Sequence, residues 1–179
     1  MADFSADASK VWLEPHNPTW GVMAISEAAR LMTAAGENLI VVHHIGSTAI
    51  PGITAKPTID LMPEVNSLAE LEARRPEIEA LGYLWRGEFG IEGRRYCVRE
   101  EIGQRLFHVH FYERGSPQIA THLAFRDYIR AHRDEALAYE AIKREAAALH
   151  PSDSLKYNDH KAAWIRSCQE RAKAWACRP

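Results

Sequence analysis

The sequence predicts a mixed α/β (α+β) fold, with an N-terminal helix, a mixed β-sheet in the first two-thirds and a helical C-terminal third. Three observations carry this. Leu39-Ile40-Val41-Val42-His43-His44-Ile45 is a short, apolar, β-branched run ended by Gly46, the pattern of a mostly buried strand. Leu106-Phe107-His108-Val109-His110-Phe111-Tyr112 alternates with a period of two. From Ser116-Pro117 onward the apolar spacing becomes helical. With 179 residues, 46% of them hydrophobic, the chain can bury an ordinary core, and its length favours one domain over residues 1–179.

Taken in order, Asn17-Pro18 reads as an N-cap and first helical position. Val22, Ile25, Ala29 and Met32 then fall at helical spacing, and Gly36 offers a stop. After the first strand and a turn-rich stretch containing Pro51, Gly52 and Pro57, Thr58–Met62 reads as a second strand. Pro63 is expected to end it or push it to a sheet edge. Ser67 with Glu70 makes a capping box, opening a helix that Pro76 breaks or restarts and Gly82 ends. Residues 83–85, 95–99 and 106–112 are strand candidates separated by glycine-containing turns, which fits an antiparallel meander. Helices to about His132, to about Leu149 and from about Ser154 to Trp175 complete the chain.

The formal charge of -2 supplies no basic field, so neither nucleic acid nor an anionic membrane is an expected partner. A small, locally charged ligand fits better. Cys97, Cys168 and Cys177 are odd in number and lack a C-x-x-C spacing, so neither a disulfide framework nor a cysteine zinc site is indicated. Residues 1–10 lack the basic start and apolar run of a secretory signal, and no stretch approaches transmembrane length. A cytoplasmic protein is expected; composition leaves its oligomeric state open.

The chemistry centres on the first two strands. A strand ending in Gly46-Ser47 can offer backbone N–H groups and the hydroxyls of Ser47 and Thr48 to a phosphate, with Lys56 nearby in sequence. Gly-Ser pairs also end many strands with no ligand in view. Asp60 sits inside an apolar strand, where an unpaired carboxylate is expensive to bury, so it needs a cationic or N–H partner, or a metal. The period of two puts His108 and His110 on one strand face, and two imidazoles with a carboxylate from another strand can build a metal site. A hydrogen-bonded structural role for those imidazoles is the plainer alternative. Arg126 and Arg130 share a helical face and can clamp phosphate or pair with Asp127.

The stretch HHIGSTAIPGITAKPTIDL resembles the defining motif of the GrpB family. VWLEPHNPTW, LFHVHFYERGS, HLAFRDYIRAH, Tyr157 and Lys161 agree with it, so the resemblance runs from about Val11 to beyond Lys161. It implies a nucleotidyltransferase-like fold, in which a Gly-Ser turn after one strand faces metal-binding carboxylates on the next and the metal bridges to a nucleoside triphosphate. Gly46 and Ser47 match that turn, Asp60 matches the first carboxylate of an Asp-x-Asp, and Met62 stands where the second belongs. Glu64 is no simple replacement, because four residues of strand span roughly 13 Å. Magnesium favours oxygen ligands, so Asp60 alone would anchor it poorly. Adding His108, His110 and His44 leans the expected divalent metal, otherwise magnesium, toward manganese, zinc or iron. His44 is equally suited to contacting phosphate, and Tyr157 and Lys161 are expected to close over the pocket.

Two readings follow. One is an enzyme that moves a nucleoside monophosphate from a triphosphate onto an unknown acceptor, with Gly46, Ser47, Thr48, Lys56, Arg126, Arg130 and Lys161 on the phosphates and Asp60, His108 and His110 at the metal. The other is a non-catalytic module on the same fold that binds a nucleotide, another phosphorylated small molecule or a metal.

Overall fold

The computed structural model describes residues 10–177. The stretch read above for a secretory signal lies almost wholly outside them, at residues 1–9. Among the described residues there are six α-helices and five strands: α1 Thr19–Ala35, β1 Leu39–Ile45, β2 Ile59–Val65, α2 Leu68–Ala73, α3 Arg75–Ala80, β3 Tyr83–Trp85, β4 Arg94–Glu101, β5 Gln104–Glu113, α4 Pro117–Ala131, α5 Arg133–Leu149 and α6 Ser154–Ala176. No described helix is long and apolar enough to cross a membrane.

The chain divides into two compact units. The sheet unit comprises residues 17–49 and 58–123; the helical unit comprises the described residues up to 16, residues 50–57 and those from 124 onward.

In the sheet unit the strand order is β1-β2-β5-β4-β3, with β2 and β5 parallel and every other neighbouring pair antiparallel. The expected meander is β3-β4-β5. Its second hairpin closes through Ile102 (φ 51°) and Gly103 (φ 73°), the paired positive angles of a tight primed turn. Pro63 does not end β2, which continues to Val65 between two neighbours. The β2–β5 ladder pairs Leu61 with Val109 and next Glu64 with Tyr112, so the proline that lacks an N–H falls where that ladder makes no pairing. Ser67 caps α2 by accepting from the Glu70 N–H, and α3 restarts with Pro76 in its first turn.

Helix α1 begins as the sequence indicates, the Asn17 side chain accepting from the Thr19 N–H at 3.0 Å. Its orientation is less obvious. Trp20, Ala24, Glu27, Leu31 and Ala34 are buried, whereas Val22 is 68% and Ile25 74% exposed. An amphipathic helix ordinarily turns its apolar stripe to the core. Here the buried face includes a carboxylate instead. Glu27 accepts from the Tyr83 hydroxyl at 2.9 Å, Arg99 at 2.7 Å and Arg30 at 2.9 Å, so its burial is compensated by two donors far along the chain and one on its own helix. Of the stripe left outside, Ile25, Ala29 and Met32 line an open apolar groove of about 470 Å³ with Val42, His44 and Leu61.

The helical unit packs Ile50, Ile53, Phe125, Tyr128, Ile129, Ala136, Tyr139 and Cys168 into one core, with Trp164 and Trp175 against it. Trp164 stacks on Tyr139 at 5.2 Å, which makes it a packing residue. A second cluster joins Val11, Ala146 and Tyr157.

Candidate metal centre

Strand register builds the site. β2 and β5 run parallel with Asp60 opposite His108, and alternation puts His110 on the same sheet face. The Asp60 Oδ1 lies 3.2 Å from His108 Nδ1 and 3.8 Å from His110 Nε2. One ligand atom from each of the three residues falls within 4.8 Å of the others, forming a possible metal-binding triad. Donors held at 2.0–2.2 Å around a tetrahedral ion stand about 3.4 Å apart, so these separations fit a shared ion. The Nε2 of His108 is buried with no hydrogen-bond partner, a further donor atom without a use inside the protein.

The electrostatics agree with a carboxylate that stays charged. Burial by itself would raise the Asp60 pKa, but hydrogen bonds and charge from His108 and His110 hold it well below the usual carboxylate range. Burial depresses His110, with the Asp60 hydrogen bond opposing. Beneath them Arg94, 7% exposed, donates to the carbonyls of Glu88 and Phe89 and approaches His110 Nδ1 at 3.4 Å. Because a guanidinium only donates, His110 accepts at Nδ1 and carries its proton on Nε2, toward Asp60. A metal ion held by Asp60, His108 and His110 would take the place of that proton.

Gly46 is required here for a reason the sequence did not disclose. At φ +71°, a Cβ on it would lie 2.2 Å from Asp60 Oδ2. The glycine lets the turn close over the carboxylate. Ser47 opens the short 3₁₀ turn Ser47–Ala49 that follows.

His44 and Thr48 are not brought to this cluster. Ile45 pairs with Asp60 and His44 with Leu61, so alternation puts His44 on the opposite sheet face, where it lines the α1 groove. Its Nε2 lies 2.9 Å from the Oγ1 of Thr48, which is 2% exposed. His43 is the histidine of that pair on the Asp60 face, because it pairs with Met62. Met62 itself is fully buried against Ile45, Tyr112 and Ile119, and Glu64 lies 3.6 Å from Arg114.

Lys56, Arg126, Arg130 and Lys161 belong to the helical unit. Arg126 makes a two-pronged pair with Asp127 at 2.7 and 3.1 Å, so spacing overstated its availability for phosphate. Arg130 stands 3.8 Å from the same carboxylate, and Lys161 places its ammonium 3.8 Å over the Tyr157 ring.

Three contributors to the centre escaped the sequence reading. Tyr96 packs 5.0 Å from the His110 ring and Arg94 lies beside both. His122, from the first turns of α4, packs 6.4 Å from His110, and burial with the charge of His110 pushes its pKa down to about 4. Strand alternation back from Tyr96 to Arg94 was the available signal for the strand residues. His122 stood at the head of the HLAFRDYIRAH motif.

The model of the GrpB protein family matches residues 10–171. UPF0157 protein YqkA of Bacillus subtilis is 42% identical over 93% of this chain, but the chain spans only 48% of that relative. A dephospho-CoA kinase of Mycolicibacterium paratuberculosis is 31% identical over 93% of the chain, which again spans about half, 47%, of the relative. The crystal structure of conserved protein GrpB from Enterococcus faecalis is 34% identical and superposes with a TM-score of 0.89, covering 93% of this chain and 100% of that one. With the mixed sheet, the Gly46 turn and the Asp60–His108–His110 cluster in place, the chain belongs to the GrpB family.

Proposed function

We propose that this chain binds a divalent metal through Asp60, His108 and His110 and uses it in nucleotidyl transfer from a nucleoside triphosphate to an acceptor. The convergence of those three side chains against Gly46 carries this reading. A two-nitrogen, one-oxygen donor set suits zinc, manganese or iron better than magnesium. When bound, such a metal supplies Lewis-acid stabilisation of charge developing on a phosphoryl oxygen. The chain's own parts have separable tasks. Asp60 stays anionic, Arg94 orients His110, and the Gly46-Ser47 turn brings its backbone up to the carboxylate. The relatives named dephospho-CoA kinase favour a nucleotide-like ligand.

Burial of Met62 at the position of a second carboxylate favours the other reading, a module that binds nucleotide or metal without transfer. The two separate experimentally. Elemental analysis of the purified protein is expected to find divalent metal that Asp60→Ala and His110→Ala each remove; metal-free protein with no thermal shift on adding zinc, manganese or iron would sink both metal readings. Transfer further requires metal-dependent pyrophosphate release from a triphosphate when cell extract supplies the acceptor. Triphosphate binding without any labelled acceptor leaves the binding module.

A further inference from the structure

The helical unit holds a second feature that the metal reading does not use. A cleft of about 410 Å³ is lined by Ile50, Pro51, Ile129, Ala136 and the two arginines Arg130 and Arg133. Its size and mixed lining suit a small molecule. Helical spacing paired Arg126 with Arg130, but Arg126 is gripped by Asp127, and the cleft pairs Arg130 with Arg133 across the α4–α5 corner instead.

Of the two arginines, Arg130 stands 3.8 Å from the Asp127 carboxylate. Arg133 makes no ion pair among the described residues and is the first residue of the 17-residue helix α5, where the helix dipole disfavours a cation. His132 at that N-cap makes no side-chain capping bond. Burial and the charge of Arg126 lower the Arg130 pKa, with Asp127 opposing. Acids share the first turn of α5, but Glu135 is held two-pronged by Arg171 at 2.8 and 2.8 Å, and Asp134 is the other first-turn carboxylate. Gly52, at φ +76°, leaves a turn so close over Arg133 that a Cβ would stand 3.3 Å from its guanidinium.

We propose that this cleft binds the phosphate of a phosphorylated small molecule, Arg130 and Arg133 taking the phosphoryl oxygens and Ile50, Pro51, Ile129 and Ala136 the apolar part. A guanidinium pair matches phosphate geometry, and the α5 N-terminus adds backbone N–H groups to the same anion. Asp60, His108 and His110 are not among the residues that line it.

The test is titration of the full chain with inorganic pyrophosphate in the presence of EDTA, followed by amide NMR at constant ionic strength. Saturable shifts at Ile50, Gly52 and residues 129–136 are expected. Arg133→Gln is expected to weaken binding by at least about tenfold, as is Arg130→Gln, with the melting temperature unchanged for the exposed Arg133. Asp60→Ala is expected to leave it intact. The proposal is overturned if those residues show no saturable shift, if chloride reproduces it, or if Arg133→Gln binds as the parent does.

Discussion

In the sheet unit the partly buried carboxylate of Asp60 stands between two imidazoles and under a glycine turn, with its charge stabilised from two sides. In the helical unit the fully buried ammonium of Lys143 has a carbonyl, Thr54 O, and the Tyr139 ring 4.7 Å away, while Lys161 adds a second positive charge. Strand pleating brings alternate residues of neighbouring strands to one point, so one register decision assembles an entire charge network. Helices distribute their charges around a cylinder, and whether a cation meets an anion depends on the packing of the whole unit. Ordered polar networks therefore form more completely on the sheet than among the helices of this chain.

This contrast can be tested by substitution, from the largest expected effect downward. Gly46→Val forces a branched side chain into the Asp60 carboxylate at a positive φ, and urea denaturation is expected to show a loss of about 3–5 kcal/mol together with loss of bound metal. A near-neutral result would mean that the turn does not hold the carboxylate. Leu31→Ala, at a fully buried position of α1, is expected to cost about 2–5 kcal/mol, whereas Ile25→Ala stays within about 0.5 kcal/mol. The opposite ranking in thermal melts would mean that α1 packs by its apolar stripe.

A pH-dependent effect concerns Lys143, whose pKa is pushed down to about 7 by burial and then by the charge of Lys161, with Glu140 opposing. Unfolded, the lysine keeps its proton to near 10.5, so between these values the unfolded chain binds more protons and stability rises with pH. Below about 7 the full cost of the buried charge remains. Lys143→Met is therefore expected to flatten the rise in stability between pH 7 and 10 and to stabilise the protein most below pH 7, as read from denaturant midpoints at matched ionic strength. An unchanged slope would show that the buried ammonium is better compensated than the geometry implies.

Much of the fold was legible because its signals are local. The β-branched run 39–45, the alternation of 106–112, Ser67 as a cap and Gly36 as a stop each act within a few residues, and the corresponding elements form where those signals stand. The pairing of His108 and His110 was equally local. What failed required distant partners. Pro63 lies inside β2 because the β5 ladder skips it; α1 buries Glu27 because Tyr83 and Arg99 arrive to satisfy it. His44 faces away from Asp60 because register with β2, which no single strand reveals, decides which of two adjacent histidines faces the carboxylate.

The sequence by itself determined the order of elements, the two-histidine strand face and the family motif, since each depends on backbone preferences and side-chain periodicity over short spans. Only the tertiary structure decided that Asp60 meets those histidines beneath Gly46, that Arg94 orients one of them, and that Arg130 shares a cleft with Arg133 and not a clamp with Arg126. The physical reason is common to all three. Charge compensation and close approach are relations between segments tens of residues apart, and they take definite values only when register and packing are fixed.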